Sequence, residues 1–224
     1  MSIQKSEIQL QVNDKTAKAY LAAPESGGPG VLVLHAWWGL KPFFKQVCDK
    51  LAEQGFTALA PDLYQDRIAQ TIDEAKALLG QRDLELMGDT VKAAKDHLVS
   101  LNPGKPIGVL GFSMGAEWSL IVAANEPDVS AAVLFYGPGE VDFTKVKARV
   151  LGHFAEMDEW EDLDFIKAME KDMKAAGMDV TLHFYPEVGH WFVEEDRPEY
   201  NPDAATLAWE RTFGFLRASL PGAA

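Results

Sequence analysis

A mostly parallel β-sheet with helices on both faces is the fold class this sequence predicts, and three observations carry the prediction. Runs such as "VLVL" (Val31 to Leu34), "IGVL" (Ile107 to Leu110) and "AAVLFY" (ending at Tyr136) are continuously apolar, as strands buried on both faces must be. Other segments repeat apolar residues at helical spacing, for example Phe44, Val47, Cys48 and Leu51 at i, i+3, i+4 and i+7. The two kinds of segment alternate, and parallel neighbouring strands need such crossovers.

Element by element, the segments around Glu7 to Val12 and Ala17 to Ala22 flank "NDK" and read as an antiparallel hairpin. After the Gly/Pro-rich "PESGGPG" comes the strand "VLVL", then a helix from about Pro42 to Gln54 with Gly55 as its C-cap candidate. "TALA" before Pro61 is the next strand. Two helical stretches follow between about Thr71 and Ser100, the first opening on "TIDE", a capping-box pattern. The strand "IGVL" leads into a helix from Met114. Then come "AAVLFY", the strand "RVLGHF" ending at Phe154, a helix over about Leu163 to Ala176, the strand "VTLHFY", and a last helix over Pro202 to Ser219. No internal repeat, low-complexity tract or linker interrupts the series, so residues 1–224 are expected to form a single α/β domain.

Composition narrows the function. Acidic residues outnumber basic ones 34 to 21, giving a net charge of −13, and no Lys/Arg stripe offers a nucleic acid its footprint. The start "MSIQKSEIQLQV" has neither a basic nor an apolar signal-like region, and no apolar run is long enough to cross a bilayer, so a soluble, unexported chain is expected. The single cysteine, Cys48, excludes an internal disulfide, and no Cys/His spacing suits zinc. A reducing cytoplasm, with no metal or organic cofactor, is the expectation.

The stretch "VLGFSMGAEW" carries the chemistry. It sets a G-x-S-x-G motif, Gly111 to Gly115, between an apolar strand and a helical segment, the context in which a nucleophilic serine stands on a sharp turn. In an open parallel sheet the usable crevice lies beyond the carboxyl ends of the strands, where Ser113 falls. A serine hydroxyl needs a base held by a third group. In α/β-hydrolases these follow in the order acid, then histidine, on loops after later strands. "AEMDEW" after "RVLGHF" supplies Asp158, with Glu156, Glu159 and Asp162 as competitors. "PEVGHWF" after "VTLHFY" supplies His190, preceded by Gly189, which permits a tight turn. The oxyanion donors expected of this fold are the backbone N–H of Met114 and one from the loop "HAWWGL", where Trp37 is best placed.

Other residues have quieter readings. His97 reads as an exposed helix residue, and His153 and His183 as hydrogen-bonded strand residues. His35 ends a strand at the active-site edge, where a supporting role is open. Cys48 belongs to a helix stripe and reads as core. Trp37 and Trp38 either wall a pocket or plug the top of the core. With Tyr64, Trp160, Trp191 and Tyr136 they predict a partly aromatic cleft.

From "VLVLHAWWGL" through "FTALAPDLY" and "VLGFSMGA" to "FYPEVGHWF" and "ATLAWERTFGFL", the chain resembles the dienelactone hydrolase family of α/β-hydrolases. The resemblance implies the α/β-hydrolase fold and hydrolysis of a small ester or lactone. That family usually carries a cysteine nucleophile regulated by a glutamate after the early strand, whereas this chain has Ser113 and Ala36 there. A conventional serine esterase mechanism is therefore expected: Ser113 attacks, His190 takes the proton and Asp158 orients the imidazole. Family members acting on dienelactone hold its carboxylate with arginines. Arg211 matches one such position and reads equally as an ion-pair partner of Glu210, while Arg67 and Arg82 are candidates for the other. Trp38, Tyr64, Trp191 and Arg211 are the expected substrate contacts. Two rivals share these features: a thioesterase or acyltransferase with the same triad, and a non-catalytic small-molecule binder on the same fold.

Overall fold

The computed structural model describes residues 2–222. The chain divides into two compact units, one running through Ile107 and including Pro221, the other spanning Gly108–Leu220.

In the first unit, β1 (Ile3–Val12) and β2 (Lys15–Pro24) form the hairpin, in register from Ile3 opposite Pro24 to Val12 opposite Lys15. It is longer than the apolar pattern predicts, because most of the added residues face solvent and give no hydrophobic signal. β3 (Gly30–Leu34) and β4 (Thr57–Pro61) are buried at every residue, and they pair in parallel, while β2 runs antiparallel to β4. The order in this unit is β1-β2-β4-β3. Helix α1 (Pro42–Glu53) packs on β2 and β4 through a stripe containing Phe44, Val47, Cys48 and Leu51. Its reversal is made by Gly55 at φ 91°, a left-handed conformation that a side chain would strain. Cys48 is wholly buried, and burial pushes its thiol far above the ordinary range, so it is core rather than a nucleophile. Helix α2 (Ile72–Gly80) opens on the expected capping box, Thr71 with Glu74, and α3 (Leu84–Leu101) is capped by Asp83.

In the second unit the order is β5-β6-β7-β8: β5 (Ile107–Phe112, its first residue in the other unit), β6 (Val129–Phe135), β7 (Arg149–Ala155) and β8 (Val180–Tyr185). β6, β7 and β8 are mutually parallel. Helices α4 (Met114–Asn125), α5 (Leu163–Ala175) and α6 (Pro202–Ser219) cover them. A methyl group at Gly111 would collide with Gly115 and Ser119 of α4, whereas one at Gly108 would touch Leu216 of α6 and Leu220. Residues 108 and 111 point to opposite faces of a strand, so α4 and α6 cover opposite faces of β5. A three-residue 3-10 turn at Phe143–Lys145, capped by Asp142, is too short to leave a periodic signal. Among the described residues, no helix is long and apolar enough to cross a membrane.

Candidate active site

Three loops at the carboxyl ends of β5, β7 and β8 build the site. Ser113 sits between β5 and α4 at φ 50° and ψ −115°, a conformation costly for any residue but glycine and held by its surroundings. Its N–H donates to the Phe135 carbonyl at 2.9 Å, and its own carbonyl accepts from Ala116 N–H at 2.8 Å. Gly111 allows β5 and α4 to approach closely enough for this turn, and Gly137 lies so near the Ser113 backbone that any side chain there would clash. The serine is left half-buried with its hydroxyl beside an imidazole: His190 Nε2 lies 3.1 Å from Ser113 Oγ.

On its other side, His190 Nδ1 lies 2.8 Å from Asp158 Oδ2 and 3.0 Å from Oδ1. A carboxylate can only accept, so Nδ1 carries the proton and Nε2 turns a lone pair to the serine hydroxyl. Both side chains are nearly closed to solvent, 3% exposed for His190 and 2% for Asp158. Asp158 Oδ1 is further held by Trp160 N–H at 2.8 Å and Glu161 N–H at 3.1 Å. The acid and histidine loops are stitched by Glu156 N–H to the Tyr185 carbonyl and Met157 N–H to the Val188 carbonyl. Of the competing acids, Glu156 and Glu159 are exposed, and Asp162 caps α5 through Asp164 N–H. The left-handed residue of the histidine loop is Glu187 at φ 59°, not Gly189, where an added methyl would make only ordinary contacts. Met114 opens α4, so its amide belongs to the first helical turn, where N–H groups have no intrahelical acceptor and the helix dipole is positive.

The expected second donor, Trp37, lies in the first unit, in the loop after β3, and is 9% exposed. That loop is pinned by His35. Its Nδ1 lies 2.7 Å from the Ala36 carbonyl and its Nε2 accepts Leu63 N–H at 3.1 Å, which fixes one neutral tautomer and joins the loops after β3 and β4. Burial lowers its proton affinity in the same sense. The Trp38 carbonyl accepts Ala69 N–H at 2.9 Å.

The aromatic residues expected to line a cleft divide sharply. Trp38 (2% exposed), Tyr64 (0%), Trp191 (2%) and Tyr136 (0%) are enclosed, so they present almost no surface to a ligand. Trp160, 39% exposed, does. Large rings after strand ends bury more apolar surface by packing on one another than by facing water, and here they do so. Trp191 stands edge-on to His190 (centroids 5.3 Å apart) and lies beside Trp160 at 5.5 Å, with the Arg197 guanidinium 4.4 Å from its ring. The Arg211 guanidinium does not pair with Glu210 but lies over the Tyr185 ring at 5.4 Å. Arg67 and Arg82, both exposed, bond to the Tyr64 and Leu79 carbonyls. His153 is a buried structural residue bonded to the Tyr185 hydroxyl (2.8 Å) and Thr212 Oγ1 (2.9 Å), and burial holds its proton affinity well below the usual range. His183 is half-buried with its ring 5.9 Å from that of His153, and His97 is half-buried rather than exposed.

Two acidic residues that no sequence motif singles out join the site. Glu161 is half-buried, and burial, then the Asp158 and Glu117 carboxylates, push its carboxyl up to about 7. Glu194, inside the acidic run "VEEDRPE", is fully buried and accepts the Tyr136 hydroxyl at 2.6 Å. Glu194 differs from its exposed neighbours through Tyr136, 58 residues away, so no local signal could have found it.

A serine on a strained strand-to-helix turn, with an imidazole and a carboxylate from later loops, stands on a scaffold of the α/β-hydrolase class. A crystal structure titled "Putative Dienelactone Hydrolase" from Klebsiella pneumoniae subsp. pneumoniae MGH 78578 superposes with a TM-score of 0.85 at 25% identity, covering 96% of this chain and 99% of that one. "Protein usf" of Aquifex pyrophilus is 33% identical over 226 residues, covering 95% of this chain and 98% of that protein. A "Putative carboxymethylenebutenolidase" of Aquifex aeolicus (strain VF5) is 32% identical over 226 residues, with the same coverage. The model of the dienelactone hydrolase family matches residues 17–220, and the chain belongs to that family of hydrolases.

Proposed function

We propose that the protein hydrolyses small carboxylic esters or lactones through Ser113, His190 and Asp158. The observation that carries this reading is the continuous contact from Ser113 Oγ through both ring nitrogens of His190 to the Asp158 carboxylate, at 3.1 Å and 2.8 Å. His190 Nε2 accepts the hydroxyl proton as Ser113 Oγ attacks the carbonyl carbon. Asp158 keeps the proton on Nδ1 and stabilises the imidazolium. The Met114 amide, in the first turn of α4, is the donor assigned to the developing oxyanion. The imidazolium then protonates the leaving oxygen. Water, deprotonated by His190, attacks the acyl-enzyme and releases the acid.

The substrates this reading favours are neutral. Ala36 stands where the family resemblance places a glutamate, and Arg211 is occupied by Tyr185, so neither supports a dedicated carboxylate site. A reducing cytoplasm suits a chain whose one thiol is buried and unpaired with another. The test is labelling by a fluorophosphonate probe, with turnover of a panel of short aryl esters, carboxylated and neutral lactones, and thioesters. Ser113→Ala abolishes labelling and nearly all turnover if the reading is right; near wild-type ester hydrolysis in that variant refutes it.

A further inference from the structure

Tyr136 follows β6 immediately, at φ 38°, a left-handed conformation disfavoured for a bulky residue. The turn it begins is packed on the nucleophile. The Phe135 carbonyl accepts Ser113 N–H, and a methyl at Gly137 would clash with the Ser113 carbonyl and lie 2.8 Å from Ala116 Cβ. The Tyr136 ring, wholly buried, lies against the other reacting group, with its centroid 4.8 Å from that of His190 at an interplanar angle of 54°. Its hydroxyl then reaches past the imidazole to Glu194, four residues beyond His190 on the same loop, and donates at 2.6 Å. Glu194 is itself tied into that loop through its N–H to the Trp191 carbonyl at 2.9 Å and its carbonyl to Arg197 N–H at 2.9 Å.

A carboxyl with no exposed surface is costly to bury, and a hydrogen bond to it is correspondingly strong. Burial, reinforced by Glu194, Asp196 and Asp158, holds the Tyr136 hydroxyl protonated, so it acts as a donor throughout the working pH range. One side chain thus touches the histidine, bonds to the histidine's loop, and springs from the turn that supports the serine.

The geometry points to Tyr136 and Glu194 as a positioning pair that holds the His190 ring at bonding distance from Ser113. The inference rests on the triad reading above, and it concerns kcat rather than substrate binding. A loosened imidazole spends less time within reach of the hydroxyl, and misplacement by about 1 Å can cost up to about a hundredfold in rate.

The experiment compares Tyr136→Phe, Glu194→Gln, Glu194→Leu and Tyr136→Phe/Glu194→Leu in the full chain. The readouts are Tm, kinetics on p-nitrophenyl acetate, and the imidazole 1H–15N resonances of His190, assigned by their loss in His190→Ala. In Tyr136→Phe, kcat is expected to fall about ten- to a hundredfold with KM changed less than about twofold. The proton on His190 Nδ1 should also exchange faster with water. Glu194→Gln keeps an acceptor for the hydroxyl and should retain far more of kcat than Glu194→Leu. The double variant, which no longer buries a carboxyl deprived of that hydroxyl, should regain Tm without regaining kcat. A kcat that recovers in step with Tm, or a Tyr136→Phe enzyme within twofold of wild type, overturns the inference. If Ser113→Ala still hydrolyses ester, the triad reading fails separately. The His190 resonances then decide the positioning role on their own: an unchanged exchange rate in Tyr136→Phe refutes it.

Discussion

Replacing Glu161 with Gln should stabilise the protein above neutral pH and leave it unchanged in acid. The native environment raises this carboxyl from its ordinary 4.5 to about 7, first by burial and then by repulsion from Asp158 and Glu117. Between those two values the native state holds a proton that the unfolded chain has released, so stability falls as pH rises through the window. Above about 7 the native protein carries the full cost of an ionised, half-buried carboxylate; below 4.5 both states are protonated and the cost vanishes. At about 1.4 kcal/mol per pKa unit the shift from 4.5 to about 7 corresponds to at most about 3.5 kcal/mol, and solvent access to a half-buried group reduces it to about 1–2 kcal/mol. Glutamine keeps the size, and the Glu161 backbone N–H that donates to Asp158 is untouched by the substitution. The assay is thermal unfolding of wild type and Glu161→Gln from pH 4 to 8.5. The variant's Tm should exceed that of wild type by roughly 2–8 °C at pH 8 and converge with it at pH 4, taking roughly 2–4 °C per kcal/mol for a chain of this size. Groups remote from Glu161 contribute equally to both proteins and cancel in the difference. A Tm difference that is the same at pH 5 and pH 8 would refute the reasoning, because a neutral packing effect carries no pH dependence.

Asp158→Asn should preserve the fold and cut kcat by up to about four orders of magnitude, since an amide can donate to Nδ1 and so favours the tautomer that turns an N–H toward Ser113. Esterase kinetics beside an unchanged circular dichroism spectrum check it; a larger loss in Glu156→Gln or Glu159→Gln would move the acid to that residue. Arg211→Ala should lower stability by about 0.5–1 kcal/mol through loss of the Tyr185 contact and change kcat/KM for neutral esters and carboxylated lactones alike. A collapse confined to the carboxylated lactone would instead make Arg211 a substrate ligand.

Several features were legible before any coordinates. Helix α6 runs over the residues its periodicity indicates, Thr71 and Glu74 form the capping box that "TIDE" spells, and the Phe44 to Leu51 stripe is buried where its spacing puts it. The glycines around Ser113 announced a turn too tight for larger residues. The order of Asp158 and His190 on loops after later strands named two side chains that the structure brings to Ser113. The hairpin's length was hidden, because edge-strand residues facing water need no apolar alternation. So was the fate of the aromatics, since a tryptophan after a strand reads the same whether it faces a ligand or another ring.

The division has a physical basis. Helix periodicity, capping and turn strain are settled within a few residues of one another, so the order of amino acids by itself determined the elements and the tight turn that carries Ser113. Burial and pairing depend on groups that meet only when the chain has folded. Ser113 and His190 are 77 residues apart, and Tyr136 and Glu194 are 58 apart. Tertiary structure alone decided that Glu194 lies buried beneath a tyrosine while its neighbour Glu195 stays exposed, and that Arg211 covers Tyr185 instead of pairing with Glu210. A carboxylate's solvation and an arginine's partner are properties of the space around them, and that space is made by residues far away in the sequence.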